Sequence, residues 1–212
     1  MIFISLCSFF LLIMVLCFIR VAFILQSSNK VSEYKLPFCK TMVVVGSGGH
    51  TSEMMALLRN LSEKFTPRIY VFAESDSTSE KRIKIMEENR SKSSQHTVLR
   101  IKRSREVAQS WCSTIVTTIV ACYHAVFIIW RQQPDLLLCN GPGTCIPLCG
   151  AVFLLKICFI VKTKIVFVES ICRVKTLSLS GKILYLFADR VLVQWPELSV
   201  AYPKSEFIGR LV

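Results

Sequence analysis

Short β-branched runs and longer helical stretches alternate from residue 41 to residue 193, and this alternation leaves few folds open to the chain. The runs that predict strands are Thr41–Val45, Arg68–Ala73, Thr97–Ile101, Asp135–Cys139, Lys164–Val168 and Arg190–Val193. The stretches that predict helices are Thr51–Leu61, Ser79–Glu88, Glu106–Gln132, Cys145–Ile157 and Leu177–Phe187. Strands separated by helices pair in parallel through right-handed crossovers, with helices on both faces. The sequence therefore predicts an α/β domain with a single doubly wound, Rossmann-like parallel sheet.

Two glycine-rich segments follow the first and fourth predicted strands, and they hold five of the eight glycines in the chain. Ligands of parallel sheets bind outside the carboxyl ends of the strands, where both segments belong. Glycine permits close approach of the backbone, and the helix that follows begins with free N–H groups. We expect one anion site from Gly46, Ser47, Gly48 and Gly49 together with Asn140, Gly141, Gly143 and Thr144. Tight turns without a ligand are the alternative.

A dinucleotide site is the first alternative to consider for these glycines. Glu74 ends the second predicted strand at about the distance where a ribose-binding acid belongs. The third glycine of the G-x-G-x-x-G fingerprint, however, falls on Thr51, whose side chain hinders close packing of helix on strand. A P-loop is excluded because no Lys-Ser or Lys-Thr pair follows the glycines. A membrane-tethered NAD(P)-dependent oxidoreductase remains the alternative function.

The N-terminal segment predicts a membrane anchor. No charged side chain occurs from Met1 to Ile19, and the apolar run continues past Arg20 to Leu25. About 20 apolar residues span a bilayer, and the basic start and small-residue cleavage site of a signal peptide are missing. We therefore expect an uncleaved anchor at residues 1–25 and a polar linker at residues 26–40.

Basic residues lie on the C-terminal side of the predicted anchor, which places the N-terminus in the lumen and the body of the protein in the cytosol. The ten cysteines fit a reducing compartment. Neither they nor the three histidines stand at the spacing of metal ligands, so no metal site is expected.

The chain is strongly basic, with 26 Lys and Arg against 14 Asp and Glu, which favours anionic partners. One basic cluster precedes the apolar stretch Ser113–Trp130 and consists of Arg100, Lys102, Arg103 and Arg105. Such a cluster suits lipid head groups or a lipid diphosphate, at about 1 kcal/mol per basic residue, although a solvated loop is the alternative. The apolar stretch itself is predicted to be a buried or membrane-skimming crossover helix. Nucleic-acid binding is disfavoured, because no aromatic residues are interleaved with the basic run.

Four segments and the apolar N-terminus together carry a family resemblance that covers nearly the entire chain. The segments are "VVVGSGGHTSEM", "LLLCNGPGTCIPLC", "KIVFVES" and the terminal "FIGRLV". They resemble the membrane-anchoring subunits of the eukaryotic UDP-N-acetylglucosamine transferase that adds the second sugar to dolichol-linked N-acetylglucosamine in asparagine-linked glycosylation. The resemblance implies the acceptor-binding N-terminal half of a two-domain (GT-B) glycosyltransferase at the endoplasmic reticulum, not an enzyme on its own and without a cofactor.

The resemblance also implies a small soluble partner subunit that carries the UDP-N-acetylglucosamine site. Residues 41–203 suffice for one doubly wound domain that binds dolichyl-diphosphate-N-acetylglucosamine. Residues 204–212 are then expected to be a barely folded tail that contacts the partner through Phe207, Ile208, Leu211 and Val212. A frayed terminus is the alternative.

Two side chains at the expected site are candidates for proton transfer. His50 ends the first glycine segment, and an imidazole titrates near neutral pH, so it suits a general base for the sugar hydroxyl. Glu169 follows the fifth strand and is the second candidate acid or base. A loop-capping role is the alternative for the histidine, and capping of the next helix is the alternative for the glutamate. Asn140 and Thr144 are expected to bind sugar hydroxyls.

Overall fold

The computed structural model describes residues 2–27, 38–90, 95–102, 111–141 and 144–211. The helices are α1 Ile2–Ser27, α2 Gly49–Arg59, α3 Ser77–Glu88, α4 Trp111–Gln132, α5 Cys145–Ile157, α6 Leu179–Phe187 and α7 Pro196–Ala201. The strands are β1 Thr41–Val44, β2 Arg68–Ala73, β3 His96–Ile101, β4 Leu136–Asn140, β5 Lys164–Val168, β6 Arg190–Val193 and β7 Ser205–Phe207. The predicted alternation is confirmed, with most element ends within two residues of their predicted positions.

The strands form one parallel sheet of 7 strands in the order β3-β2-β1-β4-β5-β6-β7. The order reverses between β1 and β4, which pair with Val44 opposite Cys139. Loops that leave two such strands run to opposite faces of the sheet and open a crevice between them. The two glycine-rich segments follow these two strands, so the topology places both of them at the crevice.

The central strands are buried on both faces, as expected of a parallel sheet covered by helices. On one face, Met42 and Leu137 of the sheet belong to the same buried cluster as Leu148 of α5. On the other face, Val43 belongs to a cluster with Met54 of α2 and with α3. Full burial of one such side chain contributes about 1.5 to 3 kcal/mol, so both helix layers are held firmly on the sheet.

The C-terminal residues form the last strand of the sheet, so the expectation of a barely folded tail was wrong. Strand β7 pairs with β6, and Ile208 N donates to Val193 O at 3.0 Å. Beyond the strand, Leu211 N donates to Gln194 Oε1 at 2.9 Å. A strand of three residues is too short to show a hydrophobic pattern in the sequence, and this segment is held in a strand conformation by its hydrogen bonds to β6. Val212 lies outside the described residues.

Helix α1 packs on the domain through its C-terminal half. Arg20 Nη2 donates to Lys156 O at 3.2 Å, near the end of α5, and the guanidinium lies 3.8 Å from the ring centroid of Phe159. Ile24 is buried at this contact. Among the described residues, none of the helices is long and apolar enough to cross a membrane. The anchor at residues 1–25 stays a prediction, and most of the linker (residues 28–37) lies outside the described residues.

Candidate functional site

The two glycine-rich segments meet around the side chain of His50, which is half-buried. A Cβ atom at Gly46 would lie 2.8 Å from the Cβ of His50. A Cβ atom at Gly141, whose φ is +100°, would lie 3.0 Å from His50 Cγ. The imidazole therefore packs directly on both glycine backbones, and a larger residue at either position would displace it. Close packing against His50 explains these two glycines without reference to a ligand.

The first segment ends in a helix start that no side chain caps. Gly48, at φ 65°, is the N-cap of α2 and makes no side-chain hydrogen bond. Within the described part of the chain, the N–H groups of Ser47, Gly48 and Gly49 have no protein acceptor, and these three residues are exposed. The N-terminus of a helix also carries a partial positive charge. This segment can therefore accept an anion through its backbone, as the sequence predicts.

Asn140 ends β4 and is 1% exposed. Its Nδ2 donates to Glu53 Oε2 at 2.8 Å and to Val168 O at 3.3 Å. Its Oδ1 lies 2.9 Å from His50 Nδ1. Both ends of the amide are thus engaged by protein, and the side chain supports His50; it is not free to bind a sugar hydroxyl as expected. Thr144, also buried, is the N-cap of α5 without a side-chain hydrogen bond, and Gly143 lies outside the described residues.

Glu53 is the residue of this cluster that the sequence reasoning missed. It lies in α2, three residues after His50, and is 4% exposed. Its Oε1 accepts from Ser170 Oγ at 2.8 Å and from Ile171 N at 3.3 Å, while Oε2 faces Asn140. The carboxylate therefore ties α2 to the segments that follow β4 and β5. The available signal was its spacing, because Glu53 follows His50 by three residues and the two side chains therefore lie on the same side of α2.

Glu169 lies at the start of the loop after β5, and its carboxylate is enclosed by hydrogen-bond donors. It is 1% exposed and accepts from Ser170 N at 3.0 Å, Ser178 N at 2.8 Å and Ser178 Oγ at 3.0 Å. Ser178 in turn caps α6 by accepting from Gly181 N at 2.9 Å. Oε2 is thus engaged at the start of α6 and Oε1 by the neighbouring backbone N–H, so the geometry supports the capping alternative for Glu169.

Thr51 occupies the space that a dinucleotide fingerprint leaves to glycine. Its Oγ1 donates to Gly46 O at 2.6 Å and lies 2.7 Å from Ser79 Oγ. The side chain is fully buried and joins α2 to the glycine-rich segment and to α3. A nicotinamide cofactor bound as in a dehydrogenase is therefore not favoured at this helix start.

The basic cluster is described only in part. Arg100 forms an ion pair with Glu80, with Nη2 to Oε2 at 2.9 Å, and Lys84 contacts the same carboxylate at 2.8 Å. Hydrogen bonding to Lys84 and then to Arg100 lowers the pKa of Glu80. Lys102 is exposed, while Arg103 and Arg105 lie outside the described residues.

The apolar stretch that follows the basic cluster is the crossover helix α4. Ala121, Ala125 and Ile129 of this helix are fully buried against the domain. The opposite face exposes large apolar side chains, among them Ile119, Tyr123, Phe127 and Trp130. Helix α4 therefore covers the sheet on one side and presents an apolar surface on the other.

Comparisons with known proteins identify the family of the chain. Residues 41–211 match the family described as "Oligosaccharide biosynthesis protein Alg14 like". The chain is 50% identical over 177 residues to the human "UDP-N-acetylglucosamine transferase subunit ALG14", covering 81% of this chain and 82% of the relative. It is 41% identical over 205 residues to the protein of the same name in Yarrowia lipolytica, covering 94% and 95%.

One solved structure shows the fold. MurG of Acinetobacter baumannii superposes with a TM-score of 0.57 at 15% identity, over 81% of this chain. The match covers 44% of the MurG chain, so this chain has the fold of less than half of that larger protein.

Proposed function

The chain belongs to the Alg14-like family of oligosaccharide biosynthesis proteins, and from this membership we propose that it is the acceptor-binding subunit of a UDP-N-acetylglucosamine transferase. The proposed reaction transfers N-acetylglucosamine from UDP-N-acetylglucosamine to dolichyl-diphosphate-N-acetylglucosamine with inversion. It is the second step in the synthesis of the dolichol-linked oligosaccharide for protein N-glycosylation. The observation that carries the proposal is the uncapped start of α2, with His50 beside it, at the switch point of the parallel sheet.

The acceptor's diphosphate is assigned to the first glycine-rich segment. The N–H groups of Ser47, Gly48 and Gly49 lack protein acceptors among the described residues, and the positive end of α2 adds to their attraction for an anion. Gly141 and Thr144 are assigned to the second wall of the same crevice, and Gly143, which lies outside the described residues, keeps the role that the sequence predicts for it. The N-acetylglucosamine of the acceptor then lies over His50, between the two segments.

His50 is proposed as the general base. Its Nδ1 is engaged by Asn140, so Nε2 is the nitrogen left for substrate. Nε2 takes the proton of the acceptor hydroxyl while the hydroxyl oxygen forms a bond to C1 of the donor sugar. The bond from C1 to the diphosphate oxygen breaks at the same time, and UDP leaves with the electron pair. Glu169 has no part in this step, because donors at the start of α6 occupy its carboxylate.

The donor half of the site is proposed to come from a small soluble subunit. The relatives of this chain are named as subunits of a UDP-N-acetylglucosamine transferase, which supports a partner subunit that supplies the donor site. Contact with that subunit is assigned to the C-terminal residues. Phe207 and Ile208 are 50% and 38% exposed beside the edge strand β7, and Leu211 and Val212 follow them.

The membrane is proposed as the second partner, with the N-terminus in the lumen of the endoplasmic reticulum and the domain in the cytosol. No charged side chain precedes Arg20, and the described apolar side chains between residues 10 and 19 of α1 are exposed, among them Phe10, Leu11, Leu12, Leu16 and Phe18. The exposed apolar face of α4 and the basic residues Arg100, Lys102, Arg103 and Arg105 are assigned to the membrane surface and its head groups.

The proposal is tested by co-purification from membranes, with transfer from UDP-N-acetylglucosamine to a dolichyl-diphosphate acceptor as the assay. The full chain is expected to bring down a small soluble subunit together with transfer activity. A double Phe207→Glu and Ile208→Glu variant, which keeps the backbone of β7, is expected to lose both. His50→Gln is the matched control and keeps the subunit but not the activity. Transfer by the purified chain alone would contradict the proposal, and nicotinamide binding without transfer would support the oxidoreductase.

A further inference from the structure

The function of His50 depends on which of its ring nitrogens carries the proton. A neutral imidazole has one nitrogen that donates and one that accepts. Nδ1 lies 2.9 Å from Asn140 Oδ1, and within the described residues Nε2 has no hydrogen-bond partner from the protein. Nε2 can take a proton from substrate only if the proton of the neutral ring is on Nδ1. Asn140 must therefore present an oxygen, not its amino group, to the histidine.

The surroundings of Asn140 decide the direction of its amide. The end of the amide that points away from His50 lies 2.8 Å from Glu53 Oε2 and 3.3 Å from Val168 O. Both of these atoms are acceptors, so that end must be the NH2 group, and the other end must be the oxygen that faces His50. The direction of the amide follows from the partners alone, without reliance on how its nitrogen and oxygen were assigned.

Oε1 of the Glu53 side chain is held by two hydrogen-bond donors, one of which is a backbone N–H that cannot accept. Ile171 N is a backbone donor 3.3 Å from Oε1, and Ser170 Oγ donates to the same oxygen at 2.8 Å. Within the part of the chain that the structure describes, Glu53 forms no ion pair, although it is 4% exposed. A buried carboxylate without a cation is costly, so packing alone does not account for a glutamate at this position.

We propose that Glu53 is a positioning residue that, through Asn140, holds neutral His50 in the tautomer with its proton on Nδ1 and its Nε2 free to accept. Glu53 orients the NH2 group of Asn140 toward itself, and Asn140 Oδ1 then accepts from Nδ1–H. The use of Nε2 as a base rests on the proposed function. The tautomer itself rests on the geometry alone, so the two can be tested separately.

The tautomer is measured by nitrogen NMR of the full chain, labelled with 15N-histidine and held in lipid nanodiscs. The chain has three histidines, and His50→Gln identifies the signals of His50 by their loss. The expected result for the wild type is neutral His50 with the proton on Nδ1. The opposite tautomer in the wild type would overturn the proposal, and this arm requires no substitution at Glu53.

Two variants test the cause. In Glu53→Gln, the backbone N–H of Ile171 requires the glutamine oxygen, so the glutamine NH2 faces Asn140 and opposes the native direction of its amide. The tautomer with its proton on Nε2 should then appear. In the double variant Glu53→Gln with Asn140→Asp, one carboxylate oxygen of the aspartate faces the glutamine NH2 and the other faces His50 Nδ1. This variant should return the proton to Nδ1. Glu80→Gln makes the same change in another largely buried helical glutamate and should leave His50 as in the wild type.

Transfer activity of the assembled complex separates the outcomes. Glu53→Gln is expected to lower kcat about 10- to 100-fold, a part of what a general base contributes, with KM for UDP-N-acetylglucosamine unchanged. The double variant should recover part of that loss. Lower activity with an unchanged tautomer would overturn the positioning role. A changed tautomer with unchanged activity would leave that role standing and show instead that His50 is not the base.

Discussion

Helices α2 and α6 both begin after strands of the same parallel sheet, but their first turns are completed in different ways. Ser178 caps α6, and the buried carboxylate of Glu169 accepts from the N–H and hydroxyl of Ser178. Helix α2 begins at an exposed glycine with no side-chain cap, and its buried glutamate, Glu53, turns away from the helix start toward Asn140. Each helix start thus has a buried glutamate close by, but the two glutamates have different roles. At α6 the polar groups satisfy one another, while at α2 the first backbone N–H groups and His50 Nε2 have no protein partner among the described residues.

The largest expected effect is a loss of transfer activity when His50, beside the start of α2, is replaced. His50→Ala should lower kcat of the assembled complex about 100- to 10,000-fold, because the acceptor hydroxyl loses its base. Recovery of the partner subunit should be unchanged, while the free energy of unfolding should fall by about 1 to 3 kcal/mol, because the buried oxygen of Asn140 loses its hydrogen bond. Steady-state kinetics on the co-purified complex makes the measurement. Loss of less than tenfold would remove His50 from the chemistry.

The next effect comes from one added methyl group beside His50. In Gly46→Ala, the new Cβ would lie 2.8 Å from His50 Cβ and 3.1 Å from Asn140 O, so the imidazole must move. A shift of about 1 Å in a catalytic group can lower kcat about 100-fold, and we expect a loss of that order. Kinetics and thermal unfolding are compared for the same preparation. An unchanged kcat in a folded variant would show that the position of His50 is not critical.

A glycine-to-alanine substitution in the capped helix α6 should lower the stability of the protein but not its activity. In Gly181→Ala, the Cβ would lie 2.2 Å from Glu169 Oε2, which must give up its hydrogen bonds to Ser178. The expected cost is about 1 to 3 kcal/mol in the free energy of unfolding. Because Glu169 takes no part in the proposed reaction, kcat per assembled complex should stay within twofold. A large fall in kcat at full occupancy of the partner would instead return Glu169 to the list of catalytic groups.

The smallest effect concerns a third helix start, at α3, which is capped by Asp76 and carries Glu80 in its first turn. Lys84 and Arg100 lower the pKa of Glu80 in the folded state. Its stabilising contribution is therefore present above the ordinary carboxyl pKa and is lost as the pH falls through the lowered value. Denaturant unfolding from pH 7 downward should show a smaller loss of stability in Glu80→Gln than in the wild type. Parallel curves for the two proteins would contradict this assignment.

The sequence predicted the sheet well because strands and helices alternate along the chain of a parallel α/β domain, and each type of element has its own hydrophobic pattern. The runs Arg68–Ala73, Lys164–Val168 and Cys145–Ile157 have the same bounds in the structure as in the prediction. Strand β7 escaped prediction because three residues carry no period, and its hydrogen bonds come from β6.

The candidate site was predicted less completely than the fold. Glycines after two neighbouring strands located the crevice, and His50 lies inside it as expected. The partners of His50 could not be found in the same way, because Glu53, Asn140 and Ser170 come from separate parts of the chain. Glu169 looked equally able to act in catalysis until its three donors were known.

The central claim is that this chain is the acceptor half of a divided transferase, and calorimetric binding to the purified full chain in nanodiscs tests it most directly. A short-chain polyprenyl-diphosphate-N-acetylglucosamine and UDP-N-acetylglucosamine are titrated separately, without the partner subunit. The account predicts saturable binding of the lipid-linked acceptor, weakened by Gly46→Ala but not by Gly181→Ala, and no binding of the nucleotide sugar. Binding of UDP-N-acetylglucosamine with none of the acceptor would contradict the account.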